Sequence, residues 1–343
     1  MNVAAVLEEV QDDLDVIIDL TQPVASDPAA LVVHGVPREL RSWALAQKIA
    51  TPNTAKGVMS VGAPIAAWIG AVLVGGAFPS PFGLVAGWVI LLFVLFRLQN
   101  VLHEAAHRGV FASTLANDIT NAVAGAVFFA PGAAYRAYHF THHGYTRVEG
   151  KDPEGFYESV KSRGTYLVTL VAGGPVFSAT MVVGTLRCAI GSRPAWVTSD
   201  RVARNVQRQG LASLSLSLVA VLGLLGAGLG PWMLRWWLVP VGIFLCGPFT
   251  WATFFEHSGT ERGVSILSSS GTVRSNRFFS WVMLNGNFHL AHHVMPTTSW
   301  WNLPALDAEL RTLCCSPDFD ASAALHQGFF AFHRRLWRSL GAA

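Results

Sequence analysis

Apolar runs of bilayer length constrain this chain more than any other feature. Residues 58–78 and 82–101 are nearly unbroken in Ala, Val, Leu, Ile, Phe and Gly, and "FPSPFG" joins them in a turn. Residues 211–229 and 233–254 form a second such pair, broken at "GLGPW". A helix needs about 20 apolar residues to cross the hydrocarbon layer, so each pair reads as a transmembrane hairpin. Charged residues make up only 13% of the chain, about half the share of a soluble domain, and mean hydropathy is +0.40. Both values point to an integral membrane protein. The net charge of +3 is small and dispersed, which excludes a nucleic-acid surface. The four cysteines have no CxxC spacing, so neither a disulfide framework nor a zinc ribbon is expected.

The opening stretch is acidic and lacks the basic-then-apolar pattern of a cleavable signal. Residues 1–56 are expected to form a cytoplasmic arm, 57–310 the membrane domain and 311–343 a cytoplasmic tail. Lys48, Lys56 and Arg108 flank the first hairpin. Arg187, Arg193, Arg201, Arg204 and Arg208 precede the second, and Arg262, Arg274 and Arg277 follow it. By the positive-inside rule, the termini and long loops face the cytoplasm.

Nine of the 12 histidines fall in four places. "HEAAH" supplies His103 and His107, and "HFTHH" supplies His139, His142 and His143. "FEHSG" supplies His257, and "HLAHH" supplies His289, His292 and His293. On a helix, positions i, i+3 and i+4 share a face, so HxxxH and HxxHH aim their imidazoles together. Imidazole ligates iron, copper, zinc and nickel. Nine converging imidazoles suit two metals with four or five ligands each. Histidine is uncommon in membrane segments and costly to bury there, which argues against chance. His34, His326 and His333 stand alone and are expected at the surface.

Other readings of these residues exist. "HEAAH" matches the HExxH of zinc proteases, with Glu104 as general base, but that leaves most of the histidines without a task. "EAAH" is half of a carboxylate-bridged di-iron motif, and no second ExxH follows. A non-enzymatic metal carrier would place its ligands near the bilayer midplane, whereas these groups sit at the ends of the runs.

Convergence also constrains topology. Residues 119–134 are short for a span and carry Gly125, Pro131 and Gly132, so they read as re-entrant or interfacial. An even number of crossings must then separate His143 from His257. Residues 164–186, interrupted by "GGP", are therefore expected to lie along the interface. The expected fold is an all-α integral membrane protein. It has four transmembrane helices in two hairpins, interfacial helices, and a cytoplasmic histidine-rich cap.

The series "HEAAH…HFTHHGYTRVEGKDPE…FEHSG…NFHLAHHVMPTTSWWNLPAL" resembles the membrane fatty acid desaturase superfamily, which includes hydroxylases, carotenoid ketolases and alkane hydroxylases. The resemblance covers about residues 60–310. It implies an oxygen-dependent enzyme with two iron ions held by the nine histidines above, and O2 as co-substrate. His257 resembles the extra ligand in the "EHxG" of the alkane hydroxylase branch. Ala291 stands where many relatives carry Glu. Glu104, Asp152, Glu256, Asn285 and Asn287 are the candidates for orienting the imidazoles. "SWW" at 299–301 is expected in an interfacial aromatic belt. The implied reaction is desaturation of a lipid or acyl chain from the bilayer, with hydroxylation as the alternative. No haem or iron–sulfur motif is present, so the electrons are expected from an external ferredoxin, rubredoxin or cytochrome b5 type of donor. Arg187–Arg208 or Arg262–Arg277 would be its dock. The expected location is a bacterial inner membrane.

Overall fold

The computed structural model describes residues 38–341 apart from Pro79, 156–158, 261–264 and 315–324. His34, Arg262 and most of the expected arm lie outside the described residues. After α1 (Arg38–Ala46), the apolar runs form α2 (Thr54–Ala77) and α3 (Pro81–Ala106). Their starts are set by side-chain caps. Asn53 accepts from the Lys56 amide, and Ser80 accepts from Gly83 with Pro81 in the first helical turn. Next come α4 (Thr114–Val127) and α5 (Gly132–Tyr145), too short to span, then α6 (Arg163–Ala189) and α7 (Asp200–Gly226).

Four of the described helices are long and apolar enough to cross a membrane: α2, α3, α6 and α7. The expected count holds, but the membership differs. The stretch expected as a fourth span, 233–254, is not one helix. It is broken into α8 (Gly230–Met233), a π-helical turn (Leu234–Leu238), α9 (Val239–Leu245) and α10 (Pro248–Thr253). Pro240 and Pro248 each remove a backbone donor, which breaks the regular ladder.

Contacts show how these segments run. A Cβ on Gly75 or Gly87 would meet the Trp236 ring at 2.0 or 2.7 Å, so Trp236 packs directly on the far halves of α2 and α3. Gly87 lies 16 residues before His103, about 24 Å along the helix. From there the broken segment climbs back. Phe244 packs on Phe96 at 5.0 Å, and His257 follows shortly after α10. Helix α6 behaves differently. Tyr166 near its start touches Phe254 (5.2 Å), and Phe177 touches Tyr135 (5.4 Å), one turn before His139. Gly184 near its end abuts Trp196, whose carbonyl accepts from Thr141, between His139 and His142. Helix α6 is long enough to span, and contacts near its start, middle and end tie it to the segments around the histidines. Its exposed Leu167, Val168, Val171, Val176 and Val183 suit contact with lipid.

The chain continues through β1 (Thr272–Arg274), α11 (Arg277–Val282), α12 (His289–Val294), a 3-10 turn (Trp300–Asn302) and α13 (Leu303–Leu313). It ends with β2 (Leu325–Gln327), paired parallel with β1, and α14 (Phe329–Ser339). Helix α1 is held close, because the Ile49 carbonyl accepts from the Ser299 amide and the Asn302 side chain. Trp300 departs from the expected belt. It is buried, and its indole N–H reaches the Ser60 hydroxyl at 3.0 Å.

His333 departs from the expected surface position. It is buried on α14 between the Tyr166 hydroxyl (2.8 Å) and the Trp251 carbonyl (2.9 Å). Its Nε2–H donates to the carbonyl and Nδ1 accepts from the phenol, which fixes a neutral tautomer. Burial, against a smaller opposing effect of the Trp251 carbonyl, holds its pKa down to about 4 from 6.5. The unfolded chain takes up this proton below 6.5 and the folded chain only near 4. Stability is therefore lost as pH falls through that window, by about 2 kcal/mol at pH 5. A His333→Gln variant is expected to lose less melting temperature than the parent between pH 7 and pH 5. An equal loss in both would contradict this.

Candidate metal centre

Four segments deliver the nine histidines. His103 lies in the last turn of α3, and His107 caps that helix. His139, His142 and His143 share a face of α5. His257 follows α10, and His289, His292 and His293 form one face of α12. The elements are locked together by main-chain bonds. The Arg136 guanidinium donates to the Ala105 and Ala106 carbonyls at 3.1 and 2.9 Å, satisfying the open end of α3, and pairs with Asp118 at 2.7 Å. Asn121 donates to the Leu102 carbonyl. Asn287 exchanges two bonds with Val273, tying the approach to α12 onto β1.

The structure brings all nine histidines together in two groups. One contains His103, His107, His139, His143 and His292. The other contains His142, His257, His289 and His293. Within each group the potential ligand atoms lie within 4.8 Å of one another. In the second group, the Nε2 atoms of His142 and His257, of His257 and His289, and of His289 and His293 are each 3.0 Å apart. In the first, His139–His143 and His143–His292 are 3.0 and 3.1 Å apart. Two nitrogens bound to one metal at about 2.1 Å, at about a right angle, stand about 3.0 Å apart.

The tautomers support the same reading. His142 directs Nδ1 at Asp152 (2.8 Å), and His257 directs Nδ1 at the Ser269 carbonyl (2.9 Å). With its Nδ1 proton given to that carbonyl, His257 turns a bare Nε2 lone pair toward the Nε2 atoms of His142 and His289, and the place between them suits a cation, either a proton or a metal ion. In the first group, the buried Nε2 atoms of His103 and His107 have no hydrogen-bond partner. The donor set therefore fits two metal ions, and among the described residues neither group includes a carboxylate. That distinguishes the arrangement from a three-ligand zinc protease site and from a carboxylate-bridged iron pair.

Protonation follows the same division. Burial, then the neighbouring imidazoles, holds His107, His139, His143, His289, His292 and His293 well below the ordinary range. His257 is lowered to about 3 by burial and by His142. These seven are neutral at pH 7, as a ligand must be. His142 is the exception. Burial would lower it, but Asp152 and Glu154 outweigh that and lift it to about 9.

The five residues expected to orient the imidazoles divide. Asp152 bonds His142 and also accepts from the Arg147 and Glu154 amides, at 2.7 and 2.8 Å. Burial favours its neutral form, but His142 and these bonds hold its pKa below the usual value. Buried Glu104 lies 3.4 Å from His103 Nδ1. Asn285 and Asn287 instead donate to the Trp300 and Val273 carbonyls. Glu256 precedes His257, and burial, then Glu154, raises its carboxyl well above the usual range. Sequence reasoning missed Glu154, 3.1 Å from His139 Nδ1, and Thr146, 3.3 Å from His293 Nδ1. Glu154 was the last residue of the quoted "DPE". No comparable signal marked Thr146.

No curated protein matches the chain. Residues 79–318, which carry every histidine of both groups, match the fatty acid desaturase family. With the match spanning most of the chain and the groups assembled between membrane helices, the chain belongs to the fatty acid desaturase family.

Proposed function

We propose that this protein is an oxygen-dependent di-iron enzyme that introduces a double bond into a fatty acyl chain. The observation that carries the reading is the division of nine histidines into two adjoining groups of five and four, in a chain of this family. His103, His107, His139, His143 and His292 would hold one ion, and His142, His257, His289 and His293 the other. Bound there, iron supplies oxygen reduction and cleavage of an unactivated C–H bond. The overall change removes two hydrogens from neighbouring methylenes, and O2 with two electrons and two protons leaves as two waters.

The protein's own residues do the rest. Asp152, Glu154, Thr146 and the Ser269 carbonyl fix imidazole orientation and keep Nε2 free for metal. Glu256, whose buried carboxyl is raised well above the usual range, keeps its proton in this interior. Tyr135 and Phe177 pack below His139 as apolar wall, which keeps water from the reacting carbon. The electrons come from a separate ferredoxin, rubredoxin or cytochrome b5 type of protein on the cytoplasmic side of a bacterial inner membrane. The flanking Lys and Arg residues support that orientation.

One observation favours a second reading, hydroxylation of an acyl, alkane or carotenoid-like substrate. His257 stands in "EHSG", the form resembling alkane hydroxylases. A host expressing the gene and fed a perdeuterated fatty acid separates the two. Desaturation gives a product lighter by two deuterium atoms. A product that instead gains one oxygen would replace the first reading with the second.

A further inference from the structure

Arg97 interrupts the apolar run "LLFVLFRLQN" in the middle of α3. It is only 2% exposed. Its Nη1 donates to the Trp281 carbonyl in the last turn of α11. The guanidinium lies 4.2 Å over the Trp281 ring and 5.9 Å from that of Trp300. Nε and Nη2 have no hydrogen-bond partner, and no acidic side chain pairs with Arg97 among the described residues. Capping α11 explains one nitrogen of three. An arginine carries five N–H donors, and leaving most of them unmet in an apolar setting is unfavourable. An ionisable side chain so placed in a membrane helix points to a ligand.

The surroundings indicate where that ligand enters. Trp281, which covers the guanidinium, is itself 41% exposed. Phe278, on the same short helix, is 51% exposed and packs at 5.2 Å on Phe93 of α3. Trp281 and Phe278 thus form an outer aromatic wall on the flank of a membrane-spanning helix. Trp281 stacks on the guanidinium with part of its own surface exposed. Arg97 precedes His103 by six residues, about 9 Å of axial rise. A planar guanidinium with a free Nε–Nη2 edge suits a two-oxygen anion, either carboxylate or phosphate.

We propose that Arg97 binds the anionic oxygen head of a long-chain lipid that enters from the bilayer past Trp281. This deepens the acyl-substrate reading above and rests on it. The head is a fatty carboxylate or a lipid phosphate, and its methylenes extend along α3 toward the histidines.

The test measures binding, without turnover, on the full-length protein in phosphatidylcholine nanodiscs. The probes are palmitate, hexadecyl phosphate and hexadecanol, which share a chain and differ in the head. The parent is expected to bind at least one anionic probe about tenfold or more tightly than the alcohol. Arg97→Gln is expected to erase that ratio while leaving hexadecanol affinity unchanged, and Arg97→Lys to retain part of it. A palmitate preference identifies a carboxylate head, and a hexadecyl phosphate preference a phospholipid head. Equal affinity for all three probes in the parent overturns the proposal, even where Arg97→Gln fails to fold. So does an unchanged ratio in a folded Arg97→Gln protein. A preference in a protein that forms no unsaturated product would sink the desaturase reading and leave this site standing. Product formation without any preference would do the reverse.

Discussion

Replacing His142 with alanine is expected to lower turnover by about a thousandfold or more, about 4 kcal/mol in the barrier. The loss should be accompanied by loss of one metal ion per chain. His142 is one of the four histidine donors that make up its group among the described residues. The five-histidine group keeps every ligand in this variant, so its ion should remain. The converse variant, His292→Ala, should thin the first group from five ligands to four and keep more metal than His142→Ala. Metal analysis of the two purified proteins beside product yield checks both claims. Full activity in His142→Ala would remove this histidine from the centre.

Replacing Asp152 with asparagine is expected to weaken metal binding at the four-histidine group by about 10- to 100-fold. The carboxylate accepts from His142 Nδ1 and is itself held by two backbone amides, so it fixes both the tautomer and the ring plane. It also sets a pH dependence. In the metal-free protein, Asp152 and Glu154 overcome burial and lift His142 to about 9. A proton then occupies the place between His142 and His257 that the metal takes. Below pH 9, metal uptake must expel that proton, so affinity should rise about tenfold per pH unit and flatten near pH 9. In Asp152→Asn the burial effect prevails, and the rise should flatten at a much lower pH. Metal titrations between pH 6.5 and 9.5 test this. An identical slope in the two proteins would mean that Asp152 does not govern the proton on His142.

Much of this architecture was legible in the sequence because two strong physical rules operate on it. Bilayer thickness sets the length of apolar runs, so α2, α3 and α7 were visible to within a few residues at most ends, although α7 begins 11 residues earlier than expected. The polar start of α7, "DRVARNVQRQ", extends beyond the apolar run and hid its true origin. Helical periodicity set the spacing of the histidine groups, and all nine residues meet. What the sequence concealed depends on contacts between distant segments. The run 233–254 is as apolar as a span but breaks around Pro240 and Pro248, where Trp236 and Phe244 fit against other helices. Glu154 lies 15 residues from His139 and reaches it only because the turn through Arg147 and Asp152 folds the chain back. His333 carried no spacing signal, since its partners are a phenol 167 residues away and a carbonyl 82 residues away. Trp300 looked like a belt residue because composition cannot show that the Ser60 hydroxyl is within reach of its indole.

The central claim is that the five- and four-histidine groups hold an iron pair. Elemental analysis with X-ray absorption on protein purified without added metal tests it most directly. The account predicts about two irons per chain, each surrounded by nitrogen at about 2.1 Å, with oxygen consumed only when an electron donor and a lipid substrate are both supplied. One zinc per chain, with no oxygen consumption under those conditions, would contradict it.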